Sequence, residues 1–325
     1  MRKSIFICAS LTVVAFVIFA CNNSSNEPTA EAPSKEDSLK RQLEHGKYLV
    51  YSVVNCVDCH SQLDTSKFSA PILPGTEGGG GLAIHEILPG DVPGKLVIPN
   101  ITPHALKDWT DDEIARAITR GVNKKGDTLF PLMPYHGLSR MAKEDVEAVI
   151  AYLRTLKPIE NSFPAKELFI PASAFGPLPD VDYQKNTRPD TADKVKYGEY
   201  LVTIAHCTDC HTPLTKEKIP IMDMYLSGGQ HFKLPNFEVT VANITPDSAT
   251  GIGSWTEELF LAKFRTNSTP EMLASKPGKF NTLMPWSFYG TMKDGDLKAI
   301  YAYLRTVPPI KNKVEKWPGM AIASK

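Results

Sequence analysis

Apolar residues recur at helical spacing in two matching stretches. Val146, Val149, Ile150 and Leu153 fall at i, i+3, i+4 and i+7, one stripe of a helix, and Leu297, Ile300, Tyr301 and Leu304 repeat it. Pro158 and Pro308 follow and are expected to stop these helices, since proline brings no N–H to the ladder. Helices are also predicted just before Cys56, just before Cys207, over residues 112–119 and over residues 257–264. Long Gly/Pro-rich loops separate them, including residues 78–81. No alternating strand pattern of useful length appears, so the chain reads as all-α.

The paired stripes belong to a duplication of a whole unit. His45-Gly46-Lys47-Tyr48-Leu49-Val50 matches Tyr197-Gly198-Glu199-Tyr200-Leu201-Val202, and Cys56-Val57-Asp58-Cys59-His60 matches Cys207-Thr208-Asp209-Cys210-His211. Asn100-Ile101-Thr102-Pro103 then matches Asn243-Ile244-Thr245-Pro246. Trp109-Thr110 matches Trp255-Thr256, Leu132-Met133-Pro134 matches Leu283-Met284-Pro285, and Tyr152-Leu153-Arg154 matches Tyr303-Leu304-Arg305. The Cys motifs, the Met-Pro pairs and the final helices each lie 151 residues apart, but the Asn-Ile-Thr-Pro motifs lie 143 apart. The loops have therefore changed length while the order of motifs has not. The expected organisation is a unit over 38–157, a proline-rich linker over 158–192, a second unit over 193–312 and a tail over 313–325.

The N-terminus has its own pattern. Arg2 and Lys3 precede an almost wholly apolar run from Ile5 to Ala20, which reads as a secretory signal over residues 1–20. Ile18-Phe19-Ala20-Cys21 followed by a polar stretch resembles a bacterial lipoprotein cleavage site, which would make Cys21 a lipidated mature N-terminus. Plain secretion and an uncleaved anchor helix are the alternatives. Residues 21–37, rich in Ser, Asn, Pro, Ala and Glu, read as a flexible tether.

Composition adds little beyond bounds. The 325 residues are 42% apolar, enough for two ordinary cores, and carry 36 basic against 36 acidic side chains. Without a basic surplus, nucleic acid is not an expected partner.

Four of the six cysteines stand in the two Cys-x-x-Cys-His motifs. Two intervening residues place both thiols on one helical turn, where they can reach the vinyl groups on one edge of a haem, and the next residue delivers an imidazole to the iron. A thiolate zinc site, a redox dithiol and paired disulfides compete for the cysteines, but none explains why His follows both times. Cys56, Cys59, Cys207 and Cys210 are thus the expected attachment residues of two covalent haems, with His60 and His211 as axial ligands. For the opposite axial positions the candidates are Met133 and Met284. Each lies 73 residues after its motif His, before a proline that holds it in extended backbone. The rivals are Met141 and His136 in the first half, and Met292, Met222, Met224 and His231 in the second, none taken as recurring. Trp109 and Trp255 either line a haem edge or pack as core aromatics. Asn100 and Asn243 are read as holding a loop, and Gly46 and Gly198 as letting the first helix approach the last, against Tyr152 and Tyr303.

The aromatic first helix, Cys-x-x-Cys-His, Met-Pro loop and Ala-Tyr-Leu-Arg final helix resemble class I cytochrome c, twice over. With Asn-Ile-Thr-Pro and Gly251-Ile252-Gly253-Ser254-Trp255-Thr256, the pattern is similar to the cytochrome c subunits of membrane-bound alcohol and gluconate dehydrogenases. Those subunits typically carry three haem motifs and this chain carries two. The resemblance implies two tandem class I cytochrome c domains, two haem c groups and electron transfer rather than catalysis. The expected donor is a dehydrogenase subunit or another periplasmic protein, and the acceptor another cytochrome or a terminal oxidase. The chain would be exported and held at a membrane by lipid on Cys21, facing the periplasm or cell exterior. A dihaem enzyme with one open iron, a peroxidase or a thiol-oxidising dehydrogenase, is the alternative.

Overall fold

The structure is a computed structural model that describes residues 34–164 and 166–318. The apolar leader, Cys21 and residues 319–325 lie outside the described residues. Among those described, the chain is mostly helical. No described helix is long and apolar enough to cross a membrane.

In the first half α1 (Lys35–Tyr48) leads into α2 (Cys56–Cys59), followed after a long loop by α3 (Asp111–Arg120) and α4 (Lys143–Leu153). The second half repeats this as α5 (Lys194–Ile204), α6 (Cys207–His211), α7 (Glu257–Asn267) and α8 (Asp294–Leu304). The caps are written in the sequence. The Thr of each Trp-Thr pair opens a helix: Thr110 Oγ1 accepts the N–H of Glu113 at 3.2 Å and Thr256 Oγ1 that of Leu259 at 3.2 Å. Glu113 reaches back to the Thr110 N–H at 2.9 Å, completing a capping box. The final helices end at Leu153 and Leu304, short of the prolines expected to stop them. Arg154 and Arg305 stand at those ends and turn their guanidinium groups onto the loops before α3 and α7. Arg154 donates to the Leu106 carbonyl at 2.6 Å, and Arg305 to the Gly253 carbonyl at 2.7 Å.

Two features depart from an all-α reading. Gly94–Lys95 (β1) pairs antiparallel with Glu167–Leu168 (β2) of the linker, and His231–Lys233 (β3) with Glu238–Thr240 (β4). The strands are two or three residues long, too short to show alternation. The first pair also joins distant segments. The linker is ordered against the first half: Asn186 Nδ2 donates to the carbonyls of Ser139 at 2.8 Å and Met141 at 3.0 Å.

The halves differ by one residue between first helix and motif, ten positions from Gly46 to Cys56 against nine from Gly198 to Cys207. The extra residue is absorbed as a π-turn over Leu49–Val53, which brings α2 into the same relation to α1 that α6 has to α5. Gly46 and Gly198 are the contact points of the first and last helices. A methyl group on either would collide with the carbonyl oxygen of Ala148 or Ala299 and with Cβ of Tyr152 or Tyr303.

Buried apolar residues of both halves form one connected cluster, running from Val50, Val53, Met141 and Val149 to Leu201, Ile204, Met292 and Leu297. Its polar seam is an exchange between halves. The Tyr200 hydroxyl accepts the Ala142 N–H at 3.0 Å and donates to Asp145, while the Tyr48 hydroxyl accepts the Lys293 N–H at 3.0 Å and donates to Asp296. Ala142 and Lys293 are the N-cap residues of α4 and α8, and the two aspartates their third helical residues. Each final helix is thus capped by a tyrosine from the opposite half. Asp145 is 1% exposed and also meets His45 Nε2 at 2.6 Å and Arg188 Nη1 at 3.3 Å.

Replacing Gly46 or Gly198 by Ala is expected to destabilise the chain by about 1–3 kcal/mol through overpacking, measured by denaturant unfolding. Tyr200→Phe leaves a buried carboxylate and a helix N–H short of a partner. It is expected to cost about 1–3 kcal/mol, and an unchanged unfolding midpoint would show that the exchanged cap contributes nothing.

Candidate functional site

Each motif helix is entered through a residue in the left-handed region, Asn55 at φ 56° and His206 at φ 57°. The turn swings the chain off its first helix. The next turn of helix gathers Cys56, Cys59 and His60 in one half, and Cys207, Cys210 and His211 in the other. All four cysteines are free thiols. Cys59 and Cys210 are exposed, yet burial pushes every one of the four up, Cys56, Cys207 and Cys210 to about 12. A thiol that water reaches but that protein walls on most sides lies in an open crevice. Burial likewise lowers His60 and His211 below the ordinary imidazole range, opposed by one hydrogen bond each to a main-chain carbonyl. At pH 7 the crevices therefore hold protonated thiols and neutral imidazoles.

Those carbonyl bonds are the most informative geometry in the chain. His60 Nδ1 meets the Pro99 oxygen at 2.7 Å, and His211 Nδ1 meets the Ala242 oxygen at 2.8 Å. A neutral imidazole bonded in this way carries its proton on Nδ1 and leaves the Nε2 lone pair free for a metal.

The following Asn-Ile-Thr segments hold both carbonyls in place. Asn100 Oδ1 accepts the Thr102 N–H at 2.7 Å and its amide donates to the Ile159 carbonyl at 2.7 Å. Asn243 does the same with Thr245 at 2.9 Å and Ile310 at 2.8 Å. The two threonine hydroxyls accept the N–H of Ile159 at 3.2 Å and of Ile310 at 3.1 Å. A glycine closes each arrangement: Gly80 donates its N–H to the His60 carbonyl at 2.8 Å and Gly228 to the His211 carbonyl at 2.7 Å. Both have positive φ, and a methyl group on either would strike the backbone at Pro99–Asn100 or at Ala242. Sequence reasoning took Asn100 and Asn243 as loop-holders, which they are. It missed Pro99, Ala242, Gly80 and Gly228, although the Gly-Gly pairs at 80–81 and 228–229 recur between motif and Asn.

The two crevices adjoin. His206 Nε2, just before the second motif, meets the carbonyl oxygen of Val54, just before the first, at 3.2 Å. Cys59 and Cys210 lie close enough for charge on one to raise the other. Among the described residues no three His, Cys, Asp or Glu side chains converge on one ion site, so the four thiols do not make a shared tetrahedral centre.

Met133 and Met284 are half-buried and pack on the connected core. In each half the Met carbonyl accepts the N–H two residues on, from Tyr135 at 2.8 Å and from Trp286 at 2.8 Å. Met141 and Met292, counted among the unrepeated rivals, are in fact 151 residues apart and do recur. Burial separates the pairs, since Met141 is 0% and Met292 2% exposed, inside the core. His136, Met222 and His231 are exposed. Trp109 and Trp255 pack against the same core from its edge.

No protein-family model matches the chain. Among curated proteins it resembles the fructose dehydrogenase cytochrome subunit of Gluconobacter japonicus, 27% identical over 92% of this chain and 59% of that one. It also resembles the cytochrome c subunit of the quinone alcohol dehydrogenase of Gluconacetobacter polyoxogenes, 29% identical over 91% of this chain and 62% of that one. A diheme cytochrome c-type protein of Cereibacter sphaeroides is 25% identical over 96% of this chain and 100% of its own length. The chain is thus a relative of cytochrome c subunits, as its motifs lead one to expect, and spans about three fifths of the dehydrogenase subunits it matches.

Proposed function

We propose that the chain is an electron carrier with two haem c groups, one in each of two cytochrome c domains over residues 38–157 and 193–312. The observation that carries this is the matched pair of His–carbonyl bonds. Both motif imidazoles meet a main-chain carbonyl through Nδ1, which leaves Nε2 for a metal, on the same turn as two free thiols. Cys56, Cys59, Cys207 and Cys210 would form the thioether links, and His60 and His211 would bind the irons. Met133 and Met284 would complete the coordination from the Met-Pro loops. When bound, each haem exchanges one electron between ferrous and ferric iron.

The chain's own residues then have defined tasks. Pro99 and Ala242 orient the imidazoles and make them better donors. The connected core excludes water from behind each motif. The His206 contact with the Val54 carbonyl, which joins the two motif entries, supports exchange between the two groups within the chain. The likeness to dehydrogenase cytochrome subunits supports a dehydrogenase subunit as donor and a further cytochrome or terminal oxidase as acceptor. The leader and Cys21 support export and lipid anchoring at a membrane.

Purified holoprotein is expected to carry two covalent haems per chain, both low-spin and both resistant to carbon monoxide. A Cys56→Ser/Cys59→Ser variant should lose one haem and keep the other. Ready carbon monoxide binding by one iron would count against a pure carrier and favour a dihaem enzyme. Cys21→Ala is expected to move the protein from the detergent-soluble membrane fraction to the aqueous one; unchanged fractionation would remove the lipid anchor.

A further inference from the structure

The two Met-Pro loops differ in what supports them. The second contains Asn281-Thr282 ahead of Met284, where the first has Phe130-Pro131 ahead of Met133. Asn281 and Thr282 are 4% and 5% exposed; Trp317 donates its indole N–H to the Asn281 carbonyl at 3.0 Å, and the Asn281 side chain bonds a segment of the first half. That segment is residues 67–70, with Ser69 and Ala70 at φ 60° and 43°, a conformation disfavoured for side-chain-bearing residues.

Its contacts converge on the methionine. Asn281 Nδ2 donates to the Lys67 carbonyl at 3.0 Å, and Asn281 Oδ1 accepts the Ser69 N–H at 3.0 Å. Phe68 donates its N–H to the Ser275 carbonyl at 3.0 Å. The Ser69 hydroxyl then donates to the Met284 carbonyl at 2.8 Å and accepts the Trp286 N–H at 2.8 Å. Ser69 is 5% exposed, so water does not replace these bonds readily. The same hydroxyl therefore grips the residue before and the residue after Pro285.

We propose that Ser69 is a positioning residue for the second iron: the first half of the chain holds Met284 in its coordinating conformation through this hydroxyl. The inference rests on the two-haem reading above and extends it, because it makes ligation at one haem depend on the half that carries the other. A thioether ligand favours the ferrous state. Losing the clamp should lower the potential of the second haem and leave the first unchanged.

The test uses the full-length holoprotein with Met133→His in the background, so that the long-wavelength Met–iron charge-transfer band of the ferric protein reports Met284 alone. Imidazole is the competing ligand. Ser69→Ala removes the hydroxyl. Ser69→Gly removes it while relieving the left-handed backbone, which keeps the test available if the Ala variant folds poorly. Both are expected to weaken the band and to raise the imidazole affinity of the second haem about tenfold, the effect of losing two buried hydrogen bonds. Unchanged affinity in both variants overturns the inference and leaves the carrier reading standing. An effect of Ala that Gly abolishes also overturns it, by assigning the role to backbone strain. Absence of the band before Ser69 is changed overturns the Met284 ligation, and the inference falls with it.

Discussion

The geometry of each crevice follows from a single hydrogen bond, between Nδ1 of the motif histidine and a loop carbonyl. An imidazole with a free Nδ1 can rotate and can carry its proton on either nitrogen; one bonded to a carbonyl through Nδ1 is held in one orientation and one tautomer. The carbonyl must come from a segment some forty residues away in the first half, so the loop carrying it must be fixed. Asn100 and Asn243 fix it by folding the backbone on itself and tying it to Ile159 and Ile310, in the segments beyond the final helices. Gly80 and Gly228 let a further segment of chain run beside both, bonded to the histidine's own carbonyl and close against the backbone of the loop. An Asn, a Thr and a Gly of each half thus serve one bond, and the bond survives the shift from 151 to 143 residues between the paired motifs.

The second constraint is between the halves. A duplicated unit that buries apolar surface against its copy needs polar groups there that satisfy one another. The exchanged tyrosines do this economically: one hydroxyl caps a helix, partners a buried aspartate and crosses the interface. Because Tyr48 and Tyr200 sit about two turns before the two motifs, on the helices that lead into them, the contact that joins the halves also bears on how the crevices face each other. The π-turn at Leu49–Val53 compensates for the residue by which the halves differ, and without it α2 would be rotated about a hundred degrees relative to its counterpart.

Much of this was legible in the sequence, and the remainder was not for definite reasons. The motifs, the final helices and the Gly46 and Gly198 contacts come from local spacing, which sequence displays directly. The final helices end at Leu153 and Leu304, ahead of the prolines, and the loop contacts that Arg154 and Arg305 make at those ends join segments too far apart in sequence for spacing to show. The β-ribbons are too short for alternation to register. The His–carbonyl bond involves a main-chain oxygen, which no residue type advertises, and only the recurrent Gly-Gly and Asn on either side mark its place. Met141 and Met292 recur as faithfully as Met133 and Met284, so repetition alone does not choose between the pairs; they differ in burial, the first pair lying inside the core and the second at its edge.

Two irons with the same ligand types can differ only through their surroundings. The histidine sides of the two crevices are nearly identical, with His–carbonyl distances of 2.7 and 2.8 Å. The methionine sides are not. Phe130 and Leu132 lean on the small apolar cluster of Leu82, Ile84, Val92, Leu96 and Ile98, all within the first half. The second Met-Pro loop instead spends its amide and hydroxyl groups on a segment of the other half. A duplication that left both Met loops alike would give two equivalent sites with no preferred direction between them. Asn-Thr in place of Phe-Pro, met by residues 67–70 with Ser69 and Ala70 in the left-handed region, breaks that equivalence in the backbone around Met284.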